Sequence, residues 1–147
     1  MRHPGVPFAG AAEIAAEWLA AVGERLGTDD RAVAYRMLRA WLHTVRDRLT
    51  VESAARFAAS LPDLLRGLFY ESWTPHHVPT RYHVPGFVAR FAGSADTTRA
   101  EVPAAAAAVT AALEELCPPG RLEDVFRALP DSLTALLTGH AEVPRAW

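Results

Sequence analysis

The chain contains no lysine, asparagine or glutamine, and all 15 of its basic residues are arginine. These absences are typical of GC-rich coding sequence, so we interpret them as a bacterial genome bias that carries no information about function. Isoleucine occurs once, at Ile14, whereas alanine makes up about a fifth of the 147 residues. Because alanine favours helices and is depleted in strands, this composition predicts helices in preference to a sheet.

The chain also lacks a strong charge of either sign, with a formal net charge of −2. A nucleic-acid-binding domain usually has a basic face and a high pI. The arginines between residues 31 and 56 come closest to such a face, but aspartate and glutamate residues are interspersed among them. We therefore expect no nucleic acid among the partners of this protein.

A single cysteine, Cys117, excludes an intramolecular disulfide and a metal site made of clustered cysteines. The N-terminus has no cationic start followed by an apolar run, so we expect no signal peptide. The longest apolar stretch, residues 102–113, is too short to cross a bilayer. The length and the 50% hydrophobic content predict one cytoplasmic domain over residues 1–147, with no membrane contact.

The most distinctive feature that is present is a repeat. The segment LPDLL at residues 61–65 recurs 68 residues later as LPDSL at residues 129–133. Apolar positions before it coincide at the same offset, such as Phe57 with Val125. Self-similarity at a fixed offset is typical of duplicated structural units. The sequence therefore predicts an internal duplication.

These patterns predict an all-α fold, a compact bundle of about eight helices formed by two similar four-helix halves. Residues 11–71 are expected to form the first helical repeat and residues 85–139 the second, with a Pro/His-rich connector at residues 72–84. The spacing of apolar residues predicts the following helices: 11–26, 29–48, 50–59, from 60 onward, 85–92, 98–117 (or 102–117), 121–128 and 129–138.

Several residues suit the expected helix ends. Thr28 and Thr50 can cap the second and third helices, and Ser60 opens a capping-box pattern at the fourth. We expect Gly93 to end the fifth helix, and Leu64 to lie on the buried side of the fourth. The alanine-rich sixth helix allows close approach of neighbouring backbones, so we expect it to lie centrally between larger neighbours.

Several segments together resemble the DUF2267 family, a bacterial domain family named for its unknown function. In the first half they are VRDRL at residues 45–49, the Leu61-Pro62 helix start and FYESWTP at residues 69–75; in the second half, Phe87-Val88, Gly120 and Leu129-Pro130. The resemblance covers about residues 12–138 and implies a small all-helical protein, with no activity or catalytic residues to carry over. The chain departs from the family pattern at Pro103 and at residues 117–119.

The connector is the only segment whose composition is typical of a binding site. It carries His76, His77 and His83, together with Trp73 and Tyr82. Three imidazoles within eight residues can provide ligands for zinc or a similar metal. However, the adjacent histidines converge on one ion only in a tight turn, and the segment has no carboxylate or cysteine. A tethered linker, anchored on the core by its tryptophan and tyrosine, is the favoured interpretation.

The sequence contains no recognisable catalytic constellation, so we expect no enzyme and no cofactor. It has no nucleophile elbow and no glycine-rich phosphate loop. Cys117 is interpreted as core filling, because free cysteine is often buried. Arg36, Arg39 and His43 share the polar face of the second helix, and we interpret them as exposed residues and candidate interaction residues.

Two functional hypotheses follow. The first is a non-catalytic protein-interaction or regulatory module that binds another protein or a second copy of itself, since helical bundles present apolar grooves to partner helices. The second is a small-molecule or metal-binding protein that uses the His/Trp-rich connector between the two halves, because pockets occur between the helices of bundles.

Overall fold

The computed structural model describes residues 7–140, and within that range the regular secondary structure is entirely helical. The prediction of an all-α bundle with about eight helices is confirmed. The eight α-helices are α1 (Ala11–Leu26), α2 (Arg31–Asp47), α3 (Val51–Ala58), α4 (Asp63–Tyr70), α5 (Val84–Ala95), α6 (Val102–Leu116), α7 (Arg121–Arg127) and α8 (Asp131–Leu137). Short 3-10 turns occupy residues 75–77 and 99–101.

The first helices begin where hydroxyl and carboxylate groups satisfy free backbone N–H groups. The Thr50 side chain accepts from the N–H of Ser53 and caps α3, as predicted. The predicted cap of α2 was wrong by two residues: Asp30 caps that helix by accepting from the N–H of Ala32. Thr28 instead accepts from the N–H of Asp30, so it supports the cap from outside the helix.

Helices α4 and α8 begin directly after Pro62 and Pro130, which lack the N–H that a first turn leaves unpaired. The leucines before these prolines, Leu61 and Leu129, are both buried. The predicted capping box at Ser60 was wrong. This serine lies two residues before the N-cap position, and its hydroxyl is buried without a hydrogen-bond partner.

Helix α5 is longer than predicted. It passes through Gly93 and ends at Asp96, which adopts the left-handed conformation that often follows a helix. Glycine inside a helix costs about 1 kcal/mol relative to alanine. The burial of Phe91 and Ala95 on either side of Gly93 offsets that cost. Helix α6 begins at Val102, the later of its two predicted starts.

Helix α2 is the most enclosed element. Every residue from Trp41 to Arg46 is buried, although six consecutive residues cover all sides of a helix. Helices α1, α4, α5 and α6 surround it. The alanine-rich helix α6 also packs against four helices, α1, α2, α5 and α8. Both helices are therefore internal, and α2 carries the larger buried side chains.

The helix contacts occur in matched pairs. Helix α1 packs on α6 while α5 packs on α2; α2 packs on α4 while α6 packs on α8; and α2 meets α6 just as α3 meets α7. Exchanging the two four-helix halves converts each of the first four contacts into its counterpart and maps the α2–α6 and α3–α7 contacts onto themselves. A twofold relation between equivalent units has this property. The internal duplication stays a prediction, and the paired contacts support it.

Side-chain bonds repeat in the same way. Arg66 on α4 donates to the carbonyl of Ala58, and Thr134 on α8 donates to the carbonyl of Phe126. The two donors are 68 residues apart, and so are the two acceptors, which is the offset of the sequence repeat. In each half, a side chain of the last helix therefore hydrogen-bonds to the end of the preceding helix, and the positions are equivalent in the two halves.

A hydrogen bond between the two halves lies in the core. Trp41 Nε1 on α2 donates to Thr110 Oγ1 on α6 over 2.9 Å, and both residues are buried. The Thr110 hydroxyl donates in turn to the carbonyl of Ala106. Since a buried indole N–H needs an acceptor, this threonine fixes how the two helices pack.

We predict that Thr110→Val lowers the free energy of unfolding by about 1–3 kcal/mol, because it leaves the Trp41 N–H buried without an acceptor. Thr44→Val is the matched control: its hydroxyl is also buried, but it donates only to carbonyls of its own helix. Urea denaturation measures both variants. Equal losses in the two variants would show that the bond between α2 and α6 contributes nothing specific.

Candidate functional site

The polar face of α2 points inward, against the C-terminal end of α4. His43 is only 9% exposed and Arg46 only 3%, so the predicted surface position of His43 was wrong. The last carbonyls of a helix lack partners within the helix. His43 Nε2 donates to the carbonyl of Leu68 over 2.7 Å, and Arg46 donates to the carbonyls of Phe69 and Glu71. These two side chains thus satisfy the end of α4.

The other two candidate interaction residues on this face are also engaged within the chain. Arg39 donates to the carboxylate of Glu71, with its closest contact at 2.6 Å, and to the hydroxyl of Ser94. Arg36 donates to the carbonyl of Ala95. Each arginine is partly buried, so this face joins α2 to α4 and α5, and does not present three free residues to a partner.

Burial lowers the pKa of His43 below its ordinary value of about 6.5. The hydrogen bond to Leu68 opposes this effect, and the charges of Arg46 and Arg39 add to it. Because a carbonyl can only accept, the neutral ring carries its proton on Nε2. The hydrogen bond and charge of Arg39 lower the pKa of Glu71, which keeps that carboxylate ionised.

The connector is held to the core at both ends. Trp73 is partly buried against the core and contacts Tyr70, with ring centroids 5.2 Å apart, so its predicted anchoring is confirmed. Tyr82 packs instead on α5, where the Arg90 guanidinium lies 4.1 Å from its ring centre. In the middle, the N–H of Thr80 donates to the carbonyl of Asp47 over 2.7 Å.

The histidines of the connector do not converge. His76, His77 and His83 are all exposed. Within residues 7–140, no group of three His, Cys, Asp or Glu side chains is placed to hold a metal ion. Of the five candidate connector residues, only His77 and Tyr82 line one common groove.

This connector groove is a surface cleft of about 370 Å³ between the connector, the end of α2 and α5. Polar residues supply all but one of its lining positions, which are Asp47, Ser72, Thr74, His77, Val78, Thr80, Tyr82 and Arg90. Thr80 Oγ1 is buried and has no hydrogen-bond partner. Two of these residues were predicted from the sequence, whereas Asp47 and Arg90 were missed because they lie on helices α2 and α5, outside the connector.

A second groove, the α4 groove, is larger and mostly apolar. It has a volume of about 480 Å³ and is lined by Ala15 and Leu19 of α1, Tyr35 of α2, and Leu64, Leu65, Gly67, Leu68 and Glu71 of α4 and its end. Leu64 is 52% exposed and Tyr35 is 41% exposed. The expectation that Leu64 lies on the buried side of α4 was therefore wrong, because α1 and α2 do not cover that part of the helix.

Cys117 is buried at the C-terminal end of α6, which confirms its interpretation as core filling. Burial raises the pKa of its thiol to about 11. A thiol that stays protonated at neutral pH is a poor nucleophile. No helix in the described part of the chain combines the length and the apolar character that a membrane crossing requires. Trp147, which the sequence suggests as an anchor for a tail formed by the last eight residues, lies outside the described residues.

Comparison with known proteins gives a family match. The family described as "Uncharacterized conserved protein (DUF2267)" matches residues 15–136. No curated protein matches the chain. The matched range includes α2, α4 and the connector completely, so both grooves lie within the part of the chain that the family shares.

We predict that the native protein loses stability as the pH falls below about 6.5, where the unfolded chain protonates His43 and the folded chain does not. Above that pH, His43 makes its full contribution to the free energy of unfolding. Below it, that free energy falls by at most about 1.4 kcal/mol per pH unit. His43→Gln should flatten this part of the profile, measured by urea unfolding between pH 7.5 and 5.5. The exposed His76→Gln is the control, and equal slopes in both variants would contradict the assignment.

We further predict that Cys117 reacts with iodoacetamide on the order of a hundredfold more slowly in the native protein than in urea at the same pH. The rise of its pKa from 9.0 to about 11 reduces the thiolate fraction by that factor. Mass spectrometry of quenched samples measures both rates. Similar rates in the two states would show that the thiol is accessible.

Proposed function

The chain belongs to the DUF2267 family, and we propose that it is a non-catalytic protein-interaction or regulatory module that binds its partner in the α4 groove. The observation that carries this proposal is the clustering of exposed apolar side chains. Four large hydrophobic residues of the described chain are markedly exposed, and two of them, Tyr35 and Leu64, line this one groove. Exposed apolar residues that cluster in a concave surface are typical of interaction sites.

The duplicated sequence provides an internal comparison for the groove. At the offset of 68 residues, Leu64 corresponds to Ser132 and Tyr35 to Pro103. Ser132 is exposed at the start of α8, just as Leu64 is at the start of α4. A polar residue therefore suits this position of the helix pair, and the leucine is not required for folding. Its retention of an exposed apolar side chain supports a binding role.

The groove suits an amphipathic helix. Its walls come from helices, with Ala15 and Leu19 one turn apart on α1, and Leu64 and Leu68 one turn apart on α4. Gly67 lies between these leucines and leaves open space at its Cα, which allows a partner backbone to approach closely. Glu71, the only charged residue in the lining, is already paired with Arg39, so we propose a partner helix that is recognised by its apolar stripe.

The test is site-specific photo-crosslinking with the full chain. A benzoylphenylalanine at position 64 should form an adduct with a helical partner segment, whereas the same group at Val51, which is 45% exposed on α3, should not. Leu64→Ser, which introduces the residue found at the equivalent position 132, should weaken binding of the purified partner about tenfold or more, since burying a leucine is worth about 1.5–3 kcal/mol. Val51→Ser is the matched control.

Three results would overturn this proposal. Equal adducts at positions 64 and 51 would show that the groove is not specific. Unchanged affinity in Leu64→Ser, with its unfolding curve also unchanged, would remove the leucine from the interface. An adduct with a second copy of the chain, together with a dimer in light scattering, would show that the groove mediates self-association and does not bind a different protein.

The second candidate function is small-molecule binding in the connector groove, favoured by its unpartnered polar side chains. The metal-binding version has less support, because the histidines are separated in the structure. The cytoplasmic location, the bacterial source and the absence of enzymatic activity stay predictions of the sequence.

A further inference from the structure

Folding does not account for the polar side chains of the connector groove. Within residues 7–140, the side chains of Ser72, Thr74 and His77 form no hydrogen bond, although all three line the groove. Thr80 also lines the groove, but its hydroxyl is buried and out of reach of a ligand in the cleft. Ser72, Thr74 and His77, which face the cleft without a partner in the chain, are available to bind a ligand.

The charge around this groove is positive. Arg90 lines it directly. Arg48 lies behind the connector, where it donates to the carbonyl of Thr80, and its Nε is buried without a partner. The one carboxylate of the lining, Asp47, is already paired with Arg46, with Nε and Oδ1 2.8 Å apart. Because Arg46 and Asp47 neutralise each other, the two remaining guanidinium groups, Arg48 and Arg90, leave the groove with a net positive charge.

This chemistry excludes a metal ion as the occupant, because guanidinium groups repel cations and the lining offers one imidazole and one carboxylate as ligands. Hydroxyls and arginines are instead the groups that bind carboxylates and phosphates. The volume of about 370 Å³ lies at the small end of the range for ligand pockets, roughly 300–1,000 Å³.

We propose that the connector groove binds a small oxyanion, the carboxylate or phosphate group of a metabolite-sized ligand. Arg90 provides the charge, and the exposed hydroxyls of Ser72 and Thr74 donate hydrogen bonds to the anionic oxygens. Tyr82 holds the guanidinium of Arg90 by stacking and by a hydrogen bond from Arg90 to its hydroxyl. This inference rests on the second candidate function and is independent of partner binding in the α4 groove.

Calorimetry and backbone NMR on the full chain test the proposal, with inorganic phosphate and succinate as separate probes and sodium chloride balancing the ionic strength. At least one probe should bind and shift the amide signals of residues 72–80. Arg90→Gln should weaken that binding about tenfold, because it removes the positive charge and the charge-assisted hydrogen bonds to the anion. Thr74→Val removes only an exposed hydroxyl of the lining and should weaken it several-fold.

Arg99→Gln is the matched control, since Arg99 is exposed outside the groove and this variant should bind the probe as the wild type does. A preference for phosphate over succinate, or the reverse, identifies the class of oxyanion. The proposal is overturned if neither probe shifts residues 72–80, or if Arg90→Gln and Arg99→Gln weaken binding equally. Leu64→Ser should leave anion binding unchanged, so failure here is distinguishable from failure of the interaction proposal.

Discussion

The rest of the structure depends on which groups donate hydrogen bonds to the carbonyls at the end of α4. Its last carbonyls need donors, and α2 supplies them through His43 and Arg46, both buried. A neutral histidine and a charged arginine in the interior are stable only with such partners. This contact fixes where α4 stops, and therefore where the connector begins and how far Leu64 projects beyond α1 and α2. The two grooves are consequences of that one junction.

The helices could be predicted from the sequence because their ends carry local signals. Thr50 and the two Leu-Pro segments determine helix starts through contacts within a few residues. Those helix starts can therefore be predicted without knowledge of the fold. The helix end predicted at Gly93 was wrong because the burial of Phe91 and Ala95 outweighs the tendency of glycine to end a helix. That burial is a property of tertiary packing. Local chemistry located these helix starts, although the caps predicted at Thr28 and Ser60 lie two residues before the true N-cap positions.

The sites were harder to predict for a related reason. An amphipathic helix is read as one apolar and one polar face, and His43 was placed in solvent on that basis. The C-terminal half of α2 is surrounded on all sides, so the polar face there is also internal and meets carbonyls in place of water. Conversely, Leu64 follows the apolar period of α4 and yet lies beyond the reach of α1. Periodicity shows which residues share a face, but not what covers that face.

The junction after α4 also joins the two grooves. Glu71 lines the α4 groove and Ser72 lines the connector groove, although one peptide bond connects them. Arg46 holds the carbonyl of that bond, and Ser72 adopts a positive φ of 58°, a conformation that residues other than glycine rarely occupy. A rotation of this peptide changes both walls at once. The bond from Arg46 therefore holds one wall of each groove in a fixed orientation relative to the other.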